Sequence, residues 1–255
     1  MSSILESFSL KGKVALVTGS STGLGQGMSL AFAEAGASVF GVDYVESTET
    51  KAKIEAKGGT FHSVVANLMT IEPLPGLVAE VVKTYGKLDI LVNNAGIIRR
   101  QDIINFTEKD WDDVLNLNLK TVFFLSQAAA AQYIKQGQGG KIINIASMLS
   151  FQGGIRVVSY TASKSGVAGI TKAMANEWAK HNIQTNAIAP GYMATNNTAQ
   201  LRQDAERSED ILKRIPAARW GLPADLMGPA IFLASNASDY LNGAVVPVDG
   251  GWLAR

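Results

Sequence analysis

A tyrosine and a lysine in residues 159–164 have the types and the spacing that proton transfer requires. Tyr160 and Lys164 are four residues apart, so on a helix their side chains share a face. A free tyrosine has a pKa near ~10, too high for proton exchange at neutral pH, but a neighbouring cation favours the phenolate and lowers that pKa. The pair is therefore a candidate acid/base device. An ordinary surface tyrosine and lysine on a helix would have the same spacing.

A glycine-rich turn near the N-terminus is the second feature that could bind a ligand. Residues 18–25 read TGSSTGLG and lie between a predicted strand and a predicted helix. Glycines at this point let the backbone turn tightly and approach a pyrophosphate, which would lie at the positive end of the helix. The spacing G-x-x-x-G-x-G differs from the commoner G-x-G-x-x-G. A purely structural turn is the alternative.

Asp43 follows the second predicted strand, eighteen residues after Gly25. A carboxylate at this place accepts hydrogen bonds from the hydroxyls of an adenosine ribose, and it would repel a 2′-phosphate. No arginine occurs in residues 41–47 to receive such a phosphate. We therefore predict NAD(H) rather than NADP(H) as the cofactor, with a plain strand-end aspartate as the alternative.

Apolar runs alternate with helical patterns along the whole chain, and this alternation predicts the elements that position those residues. Strands are predicted at residues 13–18, 38–42, 61–66, 88–92, 141–146, 184–189 and 244–248. Helices are predicted at residues 24–35, 50–57, 77–85, 108–134, 160–180 and 224–234. Continuous Val/Ile/Leu strands separated by helices indicate a parallel sheet covered on both faces. We predict an α/β fold: one doubly wound Rossmann-type domain with a seven-stranded parallel sheet and helices on both faces.

No linker or repeat divides the 255 residues, so residues 1–255 are expected to form a single domain. The least regular part is residues 191–222, which follows a late strand. Because ligands in such folds bind beyond the carboxyl ends of the strands, this segment is a candidate substrate lid. An ordinary irregular loop with a helix is the alternative.

The composition of the chain argues against several kinds of binding partner. The formal net charge is +1 with both signs scattered, so nothing points to nucleic acid or to an anionic membrane. Cysteine is absent, which excludes disulfides, thiolate nucleophiles and cysteine-ligated zinc, and fits a cytoplasmic location. The first residues have no signal-peptide pattern, and the apolar stretch 121–134 is too short to span a bilayer. The two histidines, His62 and His181, are far apart in sequence, so no metal site is expected.

The ordered set of motifs resembles the short-chain dehydrogenase/reductase family over nearly the whole chain. The matching residues, in the family's order, are TGSSTGLG at 18–25, Asp43, NNAG at 93–96, Asn118, Ser147, the Tyr160-x-x-x-Lys164 pair, and Pro190-Gly191 with Thr195. The resemblance implies that Tyr160 is the general acid/base and that Lys164 lowers its pKa and binds the nicotinamide ribose. It further implies that Ser147 binds the substrate oxygen and that Asn118 positions a water in a proton relay.

The same resemblance implies which residues line the NAD(H) site. Besides Tyr160 and Lys164 they are Gly19, Ser21, Leu24, Asp43, Asn67, Leu68, Asn94, Ala95, Gly96, Pro190, Gly191, Met193 and Thr195. Asn67 stands where many relatives carry an aspartate that contacts the adenine amino group. An amide oxygen can still accept that bond.

Longer runs, among them KIINIASMLSFQGGIRV and NAIAPGYMATNNT, resemble members of the family that interconvert the 5-keto and 5-hydroxy forms of a deoxy sugar acid in pectin and hexuronate breakdown. Neighbouring members act on gluconate or on deoxy-hexulose uronates, and these substrates stay open as alternatives. A binding protein that senses NAD without catalysis is a more remote one, because Asn118, Ser147, Tyr160 and Lys164 are all present.

A sugar acid requires a cationic partner, and an arginine suits a carboxylate geometrically. Arg156, four residues before Tyr160, is the favoured candidate, with Arg100 and Arg99 as second choices. Gln152 could bind sugar hydroxyls. A solvated surface charge or a subunit salt bridge is the alternative for each arginine.

Helices 108–134 and 160–180 are rich in alanine and in apolar residues on more than one side. Such helices are normally buried on more than one side. The family assembles through these helices, so the resemblance implies a homotetramer. The alternative is that both helices are simply covered within one chain.

Overall fold

Seven parallel strands form a single sheet in the computed structural model, which describes residues 3–255. The strands are β1 (Val14–Thr18), β2 (Ser38–Asp43), β3 (Thr60–Val65), β4 (Ile90–Asn93), β5 (Gly140–Ile145), β6 (Ile183–Pro190) and β7 (Val245–Val248). Their order across the sheet is β3-β2-β1-β4-β5-β6-β7. The predicted α/β fold with a seven-stranded parallel sheet is therefore confirmed.

Nine α-helices connect the strands within the described residues. They are α1 (Gly23–Glu34), α2 (Thr48–Glu55), α3 (Leu74–Tyr85), α4 (Glu108–Leu115), α5 (Thr121–Gln136), α6 (Val158–Trp178), α7 (Ala199–Gln203), α8 (Ala205–Arg214) and α9 (Met227–Ala234). None of the helices in residues 3–255 has the length and apolar character that a bilayer crossing requires.

Burial on both faces explains why the strand sequences are continuously apolar. All five residues of β1 and all eight of β6 are buried. Side chains of α1 and α9, such as Phe32 and Leu233, cover one face of the sheet. Side chains of α3 and α5, such as Val81 and Tyr133, cover the other face. A strand between two helical layers has no solvent-facing side, so its sequence does not alternate.

Two predicted segments differ from the structure. The helix predicted at 108–134 is divided into α4 and α5 by a π-helical turn at Asn116–Lys120. The segment 191–222 is more regular than predicted, because it contains α7 and α8 after a short 3-10 turn at Asn196–Thr198.

The strand order reverses between β1 and β4, which pair side by side in register. Connections leave this point in opposite directions, so a crevice opens beyond the carboxyl ends of the two strands. The glycine-rich turn follows β1, the NNAG turn follows β4, and Ser147 lies two residues after the end of β5. The fold thus brings the separated motifs to one edge of the sheet.

Candidate active site

The glycine-rich turn has a backbone that favours glycine at several positions. Gly19 and Gly23 adopt positive φ values of 68° and 59°. A Cβ atom at Gly25 would lie 2.0 Å from the Gly19 carbonyl oxygen, a distance that no side chain tolerates. The main chain therefore closes into a tight cradle at the N-terminus of α1. Such a cradle fits a dinucleotide pyrophosphate.

Thr18 and Asn94 fix this cradle to the neighbouring strand. Thr18 Oγ1 accepts hydrogen bonds from the main-chain N–H groups of Asn94 and Ala95, both at 3.0 Å. The Asn94 side-chain amide donates to the carbonyl oxygens of Thr18 at 2.9 Å and Gly19 at 3.1 Å. Asn94 thus has its amide donor engaged in holding the turn, which is a supporting role that sequence reasoning did not assign to it.

Asp43 lies at the end of β2 and is 8% exposed. Its Oδ2 accepts hydrogen bonds from both the main-chain N–H (3.0 Å) and the hydroxyl (2.7 Å) of Ser21. Its Oδ1 accepts from the Tyr44 N–H at 2.7 Å. The carboxylate is therefore held at the rim of the glycine cradle, where a ribose next to the pyrophosphate would reach it.

Tyr160 and Lys164 lie on successive turns of α6 and face the end of β5. Lys164 is 4% exposed. Its Nζ atom lies 5.5 Å from the centroid of the Tyr160 ring and donates a hydrogen bond to the Ile145 carbonyl at 2.5 Å. Ser147 is 6% exposed, and its hydroxyl accepts a hydrogen bond from the Leu149 N–H at 3.1 Å. The predicted serine, tyrosine and lysine are thus brought together.

The pKa values in this cluster are governed by burial. Burial raises the pKa of the Tyr160 phenol, while the Ser147 hydroxyl and the Arg100 charge act to lower it. Burial also lowers the pKa of Lys164 from 10.5 to about 8. In this structure burial outweighs the two groups that lower the Tyr160 pKa. At neutral pH Tyr160 therefore carries its proton.

Asn118 is fully buried within the π-helical turn that separates α4 from α5. Its Oδ1 accepts from the Ile97 N–H, and its Nδ2 donates to the Ile97 carbonyl, each at 2.9 Å. A Cβ atom at Gly96 would lie 3.1 Å from Asn118 Oδ1. The turn thus places Asn118 against the loop after β4, and π-helical turns recur at functional sites.

The remaining predicted cofactor residues fall into two groups. Pro190, Gly191, Met193 and Thr195 follow β6, and a Cβ atom at Gly23 would lie 3.6 Å from Thr195 Cγ2. That contact brings the start of the segment 191–222 to the glycine cradle. Asn67, in contrast, is exposed and accepts a hydrogen bond from the Met69 N–H. Buried Leu68 accepts one from Thr121 through its carbonyl, and Leu24 packs against the core beneath α1.

The candidate substrate-binding arginines differ in whether a carboxylate already neutralises their charge. Arg156 has a positive φ of 62° and forms an ion pair with Asp102 at 3.0 Å on a half-exposed surface. Arg99 lies 3.4 Å from Asp110 and 3.6 Å from Asp113.

Arg100 has no carboxylate partner among residues 3–255, and its charge acts on Tyr160. It is therefore better placed than Arg156 to meet an anion at the tyrosine. Gln152 accepts a weak hydrogen bond from Arg214 at 3.4 Å.

Sequence reasoning missed a group of aromatic and cationic residues in and next to segment 191–222. Tyr192 packs against Trp220 and Trp252, with ring centroids 5.5 and 4.8 Å apart. Arg207 and Arg214 of α8 act on the Tyr192 phenol, whose pKa is raised by burial and lowered by these charges. A signal for them existed, because Arg207, Ile211 and Arg214 have the spacing of one helix face. No group of three His, Asp or Glu side chains suited to a metal ion occurs within residues 3–255.

Residues 13–206 match the short chain dehydrogenase family. The chain therefore belongs to the short-chain dehydrogenases, which are oxidoreductases, as the sheet, the glycine cradle and the tyrosine–lysine pair also indicate.

Among individual proteins, it is 67% identical to the 2-dehydro-3-deoxy-D-gluconate 5-dehydrogenase of Escherichia coli (strain K12) over 252 residues, covering 99% of this chain and 100% of that protein. It is 41% identical to the gluconate 5-dehydrogenase of Gluconobacter oxydans (strain 621H), with 96% of each chain covered. The crystal structure of a gluconate 5-dehydrogenase from Burkholderia cenocepacia in complex with NADP and tartrate matches with a TM-score of 0.94 at 38% identity, covering 99% of this chain and 100% of that chain.

Proposed function

We propose that this protein interconverts the 5-keto and 5-hydroxy forms of 2-dehydro-3-deoxy-D-gluconate with a nicotinamide dinucleotide. The observation that carries the proposal is a half-buried Tyr160 next to buried Ser147 and Lys164, with Arg100 beside it, which has no carboxylate partner within residues 3–255. The choice of substrate is supported by 67% identity to an enzyme of that name over essentially the full length of both chains. Gluconate 5-dehydrogenase activity is the second candidate, favoured by the Gluconobacter and Burkholderia relatives.

The glycine cradle, Asp43 and the loop after β6 would hold the cofactor. Gly19 and Ser21 would face its pyrophosphate, while the Asp43 carboxylate would accept hydrogen bonds from the adenosine ribose. Because that carboxylate would repel a 2′-phosphate, we propose a preference for NAD(H). The Burkholderia relative was crystallised with NADP, so a direct comparison of the two cofactors is part of the test.

A bound nicotinamide supplies the hydride in the reduction direction and accepts it in the oxidation direction. Tyr160 then donates its proton to the substrate oxygen. Because burial raises its pKa, the tyrosine is protonated at neutral pH and is ready to act as an acid. Ser147 donates a hydrogen bond to the same oxygen and stabilises the charge that develops there.

Lys164 and Asn118 would assist Tyr160 in proton transfer. The Lys164 ammonium, still largely charged below its pKa of about 8, stabilises the phenolate that forms when Tyr160 loses its proton. Both polar atoms of the Asn118 side chain are engaged by Ile97. These bonds fix Asn118 against the loop after β4, where it would position the water of the proposed proton relay.

Initial rates with NADH and NADPH against 5-keto-3-deoxygluconate, 5-ketogluconate and the unsaturated-uronate product test this proposal. We expect the highest kcat/KM with the 3-deoxy acid and NADH. Turnover of none of these acids would contradict the proposal, and a preference for 5-ketogluconate would favour the second candidate.

Tyr160→Phe tests the proton donor directly, because the substitution removes only the hydroxyl. General acid catalysis contributes about 10²- to 10⁴-fold, so kcat should fall at least by that factor. NADH binding, measured by fluorescence titration, should change little. Near-normal turnover by this variant would reject Tyr160 as the proton donor.

Three further expectations belong to the same proposal. Residues 191–222 act as a lid over a single domain, four chains assemble into a tetramer, and the protein works in the cytoplasm. The lid is supported by Arg100, whose guanidinium donates to the Asn197 carbonyl at 3.1 Å across the crevice.

A further inference from the structure

Helix α8 in the lid presents one face to the crevice. Ile211, at its centre, is 6% exposed and packs in an apolar cluster with Met148 and Trp252. Arg207 and Arg214 lie four residues before and three residues after Ile211, so they share its face of the helix. The buried isoleucine thus aims two arginines toward the region between Ser147 and Tyr192.

Arg214 is held in place by structural contacts. Its Cζ atom lies 4.0 Å from the Trp252 ring centroid in a cation–π arrangement, and its guanidinium reaches Gln152. Arg255 donates to the Arg214 carbonyl at 2.6 Å. These contacts fix the C-terminal end of α8. They give Arg214 a structural role that does not require a bound ligand.

Arg207 is different, because its guanidinium has no hydrogen-bond or ion-pair partner within residues 3–255. Its main-chain N–H bonds to Asp204, and the nearby acid Glu209 pairs with Lys213 instead. Burial lowers the pKa of Arg100, and the Arg207 charge lowers it further. Within residues 3–255, exposed Arg207 on α8 and Arg100 in the loop after β4 are thus two cations without acidic partners, near enough for one charge to act on the other. The Arg100 guanidinium also donates to the Asn197 carbonyl at 3.1 Å, which places Arg100 against the segment that carries α8.

Tyr192 links these two cations to the reacting centre. The charges of Arg207, Arg214 and Arg100 all act on its phenol, and the Arg100 charge also acts on Tyr160. An anion between Arg100 and Arg207 would relieve their mutual repulsion and would accept hydrogen bonds from both guanidinium groups. In the proposed substrate the carboxylate is separated from the reacting carbon by three chain carbons, so the cations that bind it would lie near Tyr160 but not at it, as expected for a charge that acts on both phenols.

We propose that Arg207, together with Arg100 and the Tyr192 hydroxyl, forms the subsite that binds the carboxylate of the sugar acid, and that α8 supplies its lid half. This inference rests on the proposed function, since it assumes an acidic substrate. It makes Arg207 a specificity-determining residue.

Arg207→Ala tests the subsite, and Lys213→Ala is its matched control. Both variants remove one positive charge from an exposed residue of α8, but Lys213 pairs with Glu209 at 2.8 Å. A hydrogen bond to a charged group contributes about 1.5–3 kcal/mol, so KM for the acid should rise roughly 10- to 100-fold in Arg207→Ala. KM for NADH and kcat should change little, and Lys213→Ala should resemble the wild type.

The methyl ester of the same sugar acid separates recognition of the carboxylate from general damage. The wild type should prefer the acid to the ester, and Arg207→Ala should lose most of that preference. Arg207→Lys, which keeps the charge, should restore part of it. An unchanged KM in Arg207→Ala, or an equal loss in Lys213→Ala, would overturn the inference.

Binding measured without turnover keeps this test distinct from that of the proposed function. Trp220 and Trp252 flank Tyr192, so their fluorescence should report on gluconate added in the presence of NADH. Saturable quenching in the wild type that weakens at least tenfold in Arg207→Ala would support the subsite even if no sugar acid were turned over. Identical titrations of the two proteins would reject it even if turnover were found.

Discussion

Lys164 is a charged residue in a place that disfavours charge. It is 4% exposed, and burial lowers its pKa from 10.5 to about 8. A shift of this size corresponds to roughly 3 kcal/mol of destabilisation at neutral pH, offset in part by ~1 kcal/mol from the hydrogen bond to Ile145. The lysine thus weakens the fold while serving the chemistry, a conflict that is common at active sites.

We therefore expect Lys164→Met to be more stable than the wild type at pH 7, by about 2 kcal/mol, and to be nearly inactive. Methionine fills a similar volume and has no charge to desolvate. Urea unfolding curves at pH 7 give the difference in the free energy of unfolding, and turnover with NADH gives the activity.

The pH dependence of that difference identifies its cause. The pKa of Lys164 is lower in the folded than in the unfolded chain, so between about 8 and 10.5 the folded state binds fewer protons. The wild type therefore gains stability as pH rises through this window, and the advantage of Lys164→Met, complete below about 8, should vanish near 10.5. A difference that is the same at pH 7 and pH 10 would contradict a desolvation cost.

Helix α6 carries both reactive residues, and a buried polar network fastens it to the sheet. The Asn93 amide donates to Ser126 of α5 at 2.9 Å and to Asn144 of β5 at 2.8 Å. The Asn144 amide in turn donates to Thr171 of α6 at 2.9 Å. All four residues are at most 3% exposed, so these bonds do not compete with water and specify how the two helices sit on the sheet.

Asn144→Ala should lower the free energy of unfolding by about 2–4 kcal/mol, because it leaves buried partners without a bond and opens a cavity. Urea unfolding measures the loss. Asn176→Ala, on the exposed side of α6, is the control and should change stability by less than ~0.5 kcal/mol. Similar stability of the two variants would mean that the network does not hold the helix.

For helices and strands, the sequence predicts the elements that follow from a local pattern of residues. It does not predict those that depend on contacts between residues distant in sequence. Strands such as β1 and β6 were predictable because burial on both faces leaves a continuous apolar run. The π-helical turn at Asn116–Lys120 was not, because it follows from the bonds between Asn118 and Ile97, which are distant in sequence.

The choice among the candidate arginines also depended on contacts that the sequence does not reveal. Arg156 was favoured because it precedes Tyr160 by four residues, yet it pairs with Asp102, whereas the Arg100 charge acts on the tyrosine. Sequence proximity does not reveal which charges are already neutralised. The order of the motifs, in contrast, was sufficient to predict the glycine cradle and the tyrosine–lysine pair, since the carboxyl ends of parallel strands meet at one edge.

At the scale of the whole molecule, the exposed face of α6 carries a row of small side chains. Ser165, Gly169 and Ala173 form a stripe at four-residue spacing, and all three are exposed in the single chain. Small residues let the backbones of two helices approach closely. This stripe is therefore the part of α6 that we expect to pack against its copy in the proposed tetramer.

Gly169→Glu tests that contact without disturbing the single chain. A Cβ atom at Gly169 would have no heavy atom within 4 Å, so a larger side chain meets no obstacle inside one subunit. Between two closely packed helices it would introduce both bulk and two like charges. Light scattering should show the wild type at about 108 kDa, four chains of 27.0 kDa, and Gly169→Glu at half that mass or less.

Gly76→Glu, in α3, provides the matched control, because Gly76 is also helical, exposed and free of heavy atoms within 4 Å of its Cβ position. It should remain at the mass of the wild type. Each variant replaces a helical glycine by glutamate, a better helix former, so neither should unfold its helix. If both variants and the wild type have the same mass, α6 does not mediate assembly, and its small residues must be explained within one subunit.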